Sequence, residues 1–119
     1  NAKILPVDSN GMVVPMNLNH LLKGEDQPSL VAIQSVNNET GVMQDLSGLG
    51  KVVRDRGGLL MVDCAQSAGK MPLPDADMIV IAAHKFGGPP GIGALLVKDL
   101  KTLNAIGGQE RKKTLAHRP

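Results

Sequence analysis

The amino-acid sequence predicts an α/β fold, a mostly parallel sheet flanked by helices. Short apolar runs alternate along the chain with polar or helix-forming stretches, which is the pattern of parallel strands covered by helices. Hydrophobic residues make up 42% of the chain and charged residues 20%, as in globular domains. A length of 119 residues leaves room for one domain.

The first part of the chain predicts a strand, a turn and a short helix. Residues 3–7 predict a strand, and residues 8–11 end in Asn-Gly, a pair that accepts the positive φ of a tight turn. We expect Asn17 to cap a helix through Leu22, which Gly24 ends.

The middle of the chain predicts two buried strands with a helix between them. Residues 30–36 are β-rich and nearly all apolar, so we expect a strand buried on both faces. Residues 45–55 predict an amphipathic helix that Gly57 and Gly58 end, and residues 59–62 predict the next strand. The helix prediction depends on apolar spacings of three and four, at Leu46, Leu49, Val52 and Val53.

The last part predicts two more strands and a tail. Residues 78–82 and 94–97 are apolar, and a glycine- and proline-rich turn separates them. Residues 110–119 are polar and are expected to be loose. We therefore expect one partial domain over residues 1–111 and an atypical tail over residues 112–119.

Composition argues against several classes of protein. The net charge is only +2, and the chain has one Phe and no Trp or Tyr, which argues against nucleic-acid binding. The longest apolar run, residues 78–83, is too short to span a membrane. No secretory signal is visible, and the lone Cys64 suits a reducing compartment, so we expect a cytoplasmic protein. The three histidines have no metal-ligand spacing, and no metal site is expected.

Polar residues follow three of the predicted strands. Parallel strands present their carboxyl ends at one edge of a sheet, where α/β proteins bind ligands. There a lysine can form a Schiff base, a carboxylate can keep a pyridine nitrogen protonated, and amide and imidazole groups can hold oxygen atoms. That combination is what pyridoxal phosphate requires. The candidate residues are Asn38, Asp63, Gln66, His84 and Lys85.

Each residue alone also has an ordinary structural interpretation. Asp63 could support the turn after its strand about as well as it could bind a ligand. Taken alone, Lys85 fits a solvated surface lysine, and Asn38 fits a turn residue. The glycines of residues 86–93 lack the Gly-Lys-Ser/Thr of a phosphate loop, so a tight connection between strands is favoured.

Four sequence motifs of this chain resemble those of a known enzyme family. NNETG, VDCAQSAGK, AAHKFGGPPGIGALLV and GGQER occur in this order and cover most of residues 30–111. They resemble motifs of the cysteine desulfurases, which belong to the class V, fold-type I pyridoxal-phosphate enzymes. The GGQE string is more similar to the NifS/IscS group. The resemblance implies that residues 1–111 are part of the large cofactor-binding domain, and that the chain is an internal fragment.

The resemblance also implies a role for each candidate. Lys85 holds the cofactor as a Schiff base and later moves protons, while Asp63 pairs with the pyridine nitrogen. Gln66 contacts the phenolic oxygen, His84 contacts the phosphate, and Asn38 lies near the cofactor and the substrate carboxylate.

The chain departs from the family pattern in two places. The family has a serine ligand of the phosphate three residues before the lysine, where this chain has Ala82. Residues 112–119 do not match the segment that follows GGQER in the family. The family's persulfide-forming cysteine lies further downstream, so we interpret Cys64 as a small buried hydrophobic residue.

The activity implied is removal of sulfur from L-cysteine to give L-alanine and an enzyme persulfide. The resemblance also implies a homodimer and a sulfur acceptor or scaffold protein, as in iron-sulfur cluster assembly. Two alternatives stay open. One is another class V enzyme, an aminotransferase or a selenocysteine lyase, and the other is a folded fragment without catalytic activity.

Overall fold

A computed structural model describes residues 2–37, 40–65, 71–82, 93–99, 101 and 113–116. Its strands form one six-stranded sheet in the order β1-β6-β2-β3-β4-β5. Two helices lie between the early strands. The elements are β1 (Ala2–Ile4), α1 (Pro15–Lys23), β2 (Ser29–Gln34), α2 (Leu46–Asp55), β3 (Leu59–Asp63), β4 (Met78–Ala82), β5 (Gly93–Val97) and β6 (Lys113–Ala116).

The prediction of a mostly parallel sheet is confirmed. Strands β2, β3 and β4 are parallel neighbours, and β6 is parallel to both β1 and β2. Strand β5 runs antiparallel to β4, with Ala82 opposite Gly93. The central strands therefore present their carboxyl ends at one edge of the sheet.

Helix α2 begins and ends where its sequence predicts. The Asp45 side chain accepts a hydrogen bond from the backbone N–H of Gly48 at 3.1 Å, which satisfies an amide at the helix start. Gly57 follows the helix with φ of 71°, a conformation that glycine adopts at little cost.

The predicted N-cap of α1 is wrong by three residues. Val14 is the N-cap and Pro15 occupies the first turn, where proline's fixed φ suits a helix and its missing N–H is not needed. Asn17 consequently lies inside the helix. Gly24 ends α1 as predicted.

The turn after β1 is confirmed, although β1 is shorter than the run predicted over residues 3–7. The Asp8 carboxylate accepts hydrogen bonds from the backbone N–H of Asn10 at 2.8 Å and of Met12 at 3.0 Å. Gly11 has φ of 80°. These bonds stabilise the turn between β1 and α1.

The core lies between the two helices and one face of the sheet. It joins α1, α2 and the strands in one cluster, which includes Leu18, Leu22, Val31, Ile33, Leu49, Val53, Leu60, Val62 and Ile79. Residues of β2 alternate between buried and half-buried, so the expectation of burial on both faces is wrong within the described part of the chain. Both helices contribute to the core on the same face, and the opposite face is only partly covered.

A strand lies within the segment expected to be a loose tail. Residues 113–116 form β6, whose backbone pairs with β1 on one side and with β2 on the other. Backbone pairing on both edges outweighs the polar composition on which the expectation rested. Residues 110–112 and 117–119 lie outside the described residues.

In the described ranges, no helix has the length and apolar character needed to cross a lipid bilayer.

Candidate active site

The carboxyl ends of β2, β3 and β4 form the edge that carries the candidate site. Gln34 at the end of β2 is in register with Asp63 at the end of β3, and Asp63 is in register with Val80 of β4. Two residues later β4 ends at Ala82, and the predicted His84 and Lys85 follow it in the sequence. The parallel neighbours on which the site prediction depends are therefore present.

Asp63 is held in place at this edge by its own backbone and by the following turn. Its carbonyl oxygen accepts a hydrogen bond from the Ser35 N–H at 2.9 Å. Its Oδ1 accepts one from the Ala65 N–H at 2.9 Å. Asp63 therefore supports the turn after its strand through Oδ1, which is the ordinary structural role that its position suggested. Its Oδ2 makes no hydrogen bond to another described residue. One carboxylate can perform both roles, since its two oxygens accept about four hydrogen bonds.

The loop that follows β2 is closed on itself. Asn37 Oδ1 accepts a hydrogen bond from the Thr40 N–H at 3.0 Å. The Asn37 N–H donates to the Val42 carbonyl at 2.9 Å, and Val36 bridges Met43. Gly41 has φ of 74°, so the short loop can reverse its direction there. These contacts hold the described residues on both sides of residues 38 and 39, which lie outside the described part of the chain.

Only one of the five predicted site residues lies in the described part of the chain. Asp63 is at the predicted edge, whereas Asn38, Gln66, His84 and Lys85 lie outside the described residues. Their roles remain predictions. Within the described ranges, no group of three or more His, Cys, Asp or Glu side chains has an arrangement that suits a metal ion.

Gln44 ties this loop to the segment before α1. Its Oε1 accepts a hydrogen bond from the Val13 N–H at 2.8 Å, and its Nε2 donates to the Gly11 carbonyl at 2.9 Å. We expect Gln44→Ala to lower the free energy of unfolding by about 1–3 kcal/mol, because a buried backbone N–H loses its partner. Urea unfolding followed by circular dichroism measures the change.

Two variants make the Gln44 prediction specific. Gln44→Glu keeps an acceptor for Val13 but sets a carboxylate oxygen against the Gly11 carbonyl, so it should also lower the free energy of unfolding. Gln27→Ala removes an exposed carboxamide and should change stability by less than about 0.5 kcal/mol. Equal losses for Gln44→Ala and Gln27→Ala would contradict the prediction.

The resolved pKa shifts in the described part of the chain lie away from this edge. Lys98 Nζ and Asp75 Oδ1 are 2.9 Å apart, in the segments that precede β4 and follow β5. The hydrogen bond from Lys98 lowers the pKa of Asp75, and the same bond raises the pKa of Lys98. Both groups are exposed and stay charged at neutral pH, so the pair is structural rather than poised for proton transfer.

Cys64 is buried, as its interpretation predicts. Its relative exposure is 0%, and its N–H donates to the Val80 carbonyl at 2.8 Å. A thiol packed in the core between two strands is poorly placed to attack a substrate.

Gln34 is a further polar residue at this edge that the sequence did not predict as part of the site. Its Oε1 is buried and has no hydrogen-bond partner among the described residues. A buried polar atom of this kind is unusual in a core and calls for a partner. The only signal in the sequence was a glutamine within an otherwise apolar strand, and its register with Asp63 becomes visible only in the structure.

The fold agrees with that of a class of pyridoxal-phosphate enzymes. The family model described as Aminotransferase class-V matches residues 1–117. The chain therefore belongs to the aminotransferase class-V family, whose members use pyridoxal phosphate.

Relatives within that family are named as cysteine desulfurases. The chain is 39% identical over 116 residues to the probable mitochondrial cysteine desulfurase of Dictyostelium discoideum, covering 90% of this chain and 25% of that protein. It is 39% identical over 116 residues to the cysteine desulfurase IscS of Rickettsia felis, covering 90% of this chain and 28% of that protein. The chain thus spans about a quarter of the length of these relatives.

Solved structures show the same similarity. A NifS-like protein from Rickettsia africae superposes with a TM-score of 0.77 at 32% identity, covering 82% of this chain and 28% of that one. A cysteine desulfurase from Thermococcus onnurineus superposes with a TM-score of 0.70 at 34% identity, covering 82% of this chain and 25% of that one. These similarities agree with the predicted family and fold.

Proposed function

We propose that this chain is part of the cofactor-binding domain of a cysteine desulfurase, an enzyme that removes sulfur from L-cysteine to give L-alanine and an enzyme persulfide. The observation that carries the proposal is the position of Asp63 at the shared carboxyl edge of β2, β3 and β4. An anchored carboxylate with a second oxygen available fits the pyridine nitrogen of pyridoxal phosphate. The desulfurase names of relatives near 39% identity support this substrate over other class V reactions.

Each site residue has a proposed task. When bound, pyridoxal phosphate withdraws electrons from the α-carbon of the substrate. Asp63 accepts the hydrogen bond of the pyridine nitrogen and keeps that nitrogen charged. Lys85 holds the cofactor covalently and moves a proton at the substrate α-carbon.

Three polar side chains complete the proposed site. Gln66 donates to the phenolic oxygen of the cofactor, His84 donates to its phosphate, and Asn38 contacts the substrate carboxylate. The serine that would add a phosphate contact is replaced by Ala82. We therefore expect weaker phosphate binding than in a family member that has the serine.

The proposal also covers the oligomeric state and the protein partner. We propose a homodimer that passes sulfur to an acceptor or scaffold protein, as in iron-sulfur cluster assembly. A cytoplasmic location stays a prediction, because the relatives include mitochondrial as well as bacterial proteins. An aminotransferase, a selenocysteine lyase and an inactive folded fragment are the alternatives.

Trapping and mapping the cofactor tests the site. Protein mixed with substoichiometric pyridoxal phosphate should develop an absorbance band that borohydride bleaches, and peptide mass spectrometry should locate the reduced cofactor on Lys85. Substoichiometric cofactor limits labelling of solvated lysines such as Lys23. Label spread evenly over exposed lysines would refute the cofactor site in this chain and favour the inactive fragment.

The substrate is tested separately from the cofactor. Addition of L-cysteine to the loaded protein should shift the band, whereas L-alanine, the expected product, should shift it less. Release of alanine from cysteine, measured by chromatography, would support a desulfurase. Transfer of the amino group to a keto acid would support the aminotransferase instead.

A further inference from the structure

Gln34 lies one strand away from Asp63 and on the same face of the sheet. The two residues are register partners on parallel strands, and such neighbours lie about 4.8 Å apart across the sheet. Because side chains alternate along a strand, paired positions share a face. Both residues are half-buried and lie opposite the face that packs against α1 and α2. The carboxamide of Gln34 is therefore within reach of the Asp63 carboxylate.

The carboxamide of Gln34 lacks a hydrogen-bond partner for its oxygen among the described residues. Its Oε1 is buried with no hydrogen bond to any described residue. Burying an unpaired carboxamide costs free energy, so such groups persist where something compensates. At a ligand edge the compensation can come from the site itself.

The Asp63 carboxylate has an oxygen, Oδ2, that can accept a hydrogen bond from a neighbouring donor. Oδ1 accepts a hydrogen bond from the Ala65 N–H at 2.9 Å, and this is the one hydrogen bond to the carboxylate among the described residues. A donor to Oδ2 from the neighbouring strand would fix the plane of the carboxylate. Rotation of the Gln34 amide by half a turn exchanges its oxygen and nitrogen, so Nε2 can take the buried position.

We propose that Gln34 is a positioning residue of the cofactor site, whose Nε2 donates a hydrogen bond to Oδ2 of Asp63 and aims that carboxylate at the cofactor's pyridine nitrogen. The inference rests on the proposed function for the identity of the cofactor. The hydrogen bond itself does not depend on it. Gln34 acts through Asp63 and not on the reacting atoms.

A double-mutant cycle tests whether Gln34 acts through Asp63. Gln34→Met, which keeps the size of the side chain and loses the amide, should weaken pyridoxal-phosphate binding about tenfold, as expected for one lost hydrogen bond to a charged group. In the Asp63→Asn background the same change should alter affinity less than about twofold. The dissociation constant is read from the absorbance band, and thermal unfolding verifies that each variant is folded.

The control is Gln27→Met, which changes an exposed glutamine before the start of β2 and should leave the affinity unchanged. An equal loss for Gln34→Met in both backgrounds would mean a merely structural role and would overturn the proposal. No loss in either background would overturn it as well.

A measurement without cofactor separates this proposal from the proposed function. In nuclear magnetic resonance spectra of the unliganded protein, the side-chain amide signals of Gln34 should shift in Asp63→Asn, whereas those of Gln27 should not. If this shift occurs but no Lys85-linked band forms, the hydrogen bond stands and the cofactor assignment fails. If the Gln34 signals do not move, the positioning role is overturned whatever the cofactor result.

Discussion

Lys85→Ala is expected to abolish the borohydride-sensitive absorbance band that pyridoxal phosphate forms with this chain. A covalent bond to the cofactor aldehyde requires a primary amine, and alanine supplies none. Any cofactor that remains would be held by hydrogen bonds alone and lost on gel filtration. Absorbance before and after borohydride, followed by gel filtration, measures the retained fraction.

Two further variants and one possible outcome make the Lys85 prediction testable. Lys23→Ala removes an exposed lysine at the end of α1 and should leave the band unchanged. Lys85→Arg keeps the positive charge but cannot form the stable C=N bond, so it should also lack the band. A band of normal intensity in Lys85→Ala would show that another amine holds the cofactor, and the sequence-based assignment would then be wrong.

The framework of the sheet could be predicted because its strands are apolar runs of strand length. Residues 78–82 were predicted with the bounds found for β4, and α2 starts within a residue of its prediction. In both cases local pattern and tertiary burial agree, because the same side chains give the periodicity and fill the core. The helix-stop signal at Gly57 was readable for a similar local reason.

The errors arise where tertiary pairing or a local competitor decides the outcome. The four residues of β6 are too short a pattern to indicate a strand within the polar tail, and β6 depends on pairing with β1 and β2. At α1, Pro15 provided a start signal that outweighs the capping propensity of Asn17. Burial of β2 on one face only follows from where the helices pack, which periodicity does not reveal.

The candidate site was predictable only in part, for a related reason. Asp63 stands directly after an apolar run, so the rule about carboxyl ends of strands finds it. Gln34 lies inside the run predicted as a strand, residues 30–36, and its proposed role depends on its register with Asp63. Register is a property of two strands together, so a scan of residues that follow strands does not reveal it.

A large loss of stability is expected when the core beneath the sheet is truncated at Leu49. Leu49 in α2 is 0% exposed and belongs to the cluster that joins both helices to the sheet. Leu49→Ala should lower the free energy of unfolding by about 3 kcal/mol, the sum of lost apolar transfer and the cavity left behind. The melting temperature should fall by roughly 10 °C or more. Chemical and thermal unfolding followed by circular dichroism measure both quantities.

Leu73→Ala provides the matched control for this core prediction. Leu73 is 48% exposed, so the same truncation there should cost less than about 1 kcal/mol. Because Leu49 packs on the face of the sheet opposite Asp63 and Gln34, Leu49→Ala should keep its affinity for pyridoxal phosphate at temperatures where it remains folded. Gln34→Met should show the reverse pattern, with weakened binding and little change in stability. If Leu49→Ala loses affinity while fully folded, the two faces of the sheet are coupled, and Asp63 depends on the packing of α2 as well as on its neighbours at the edge.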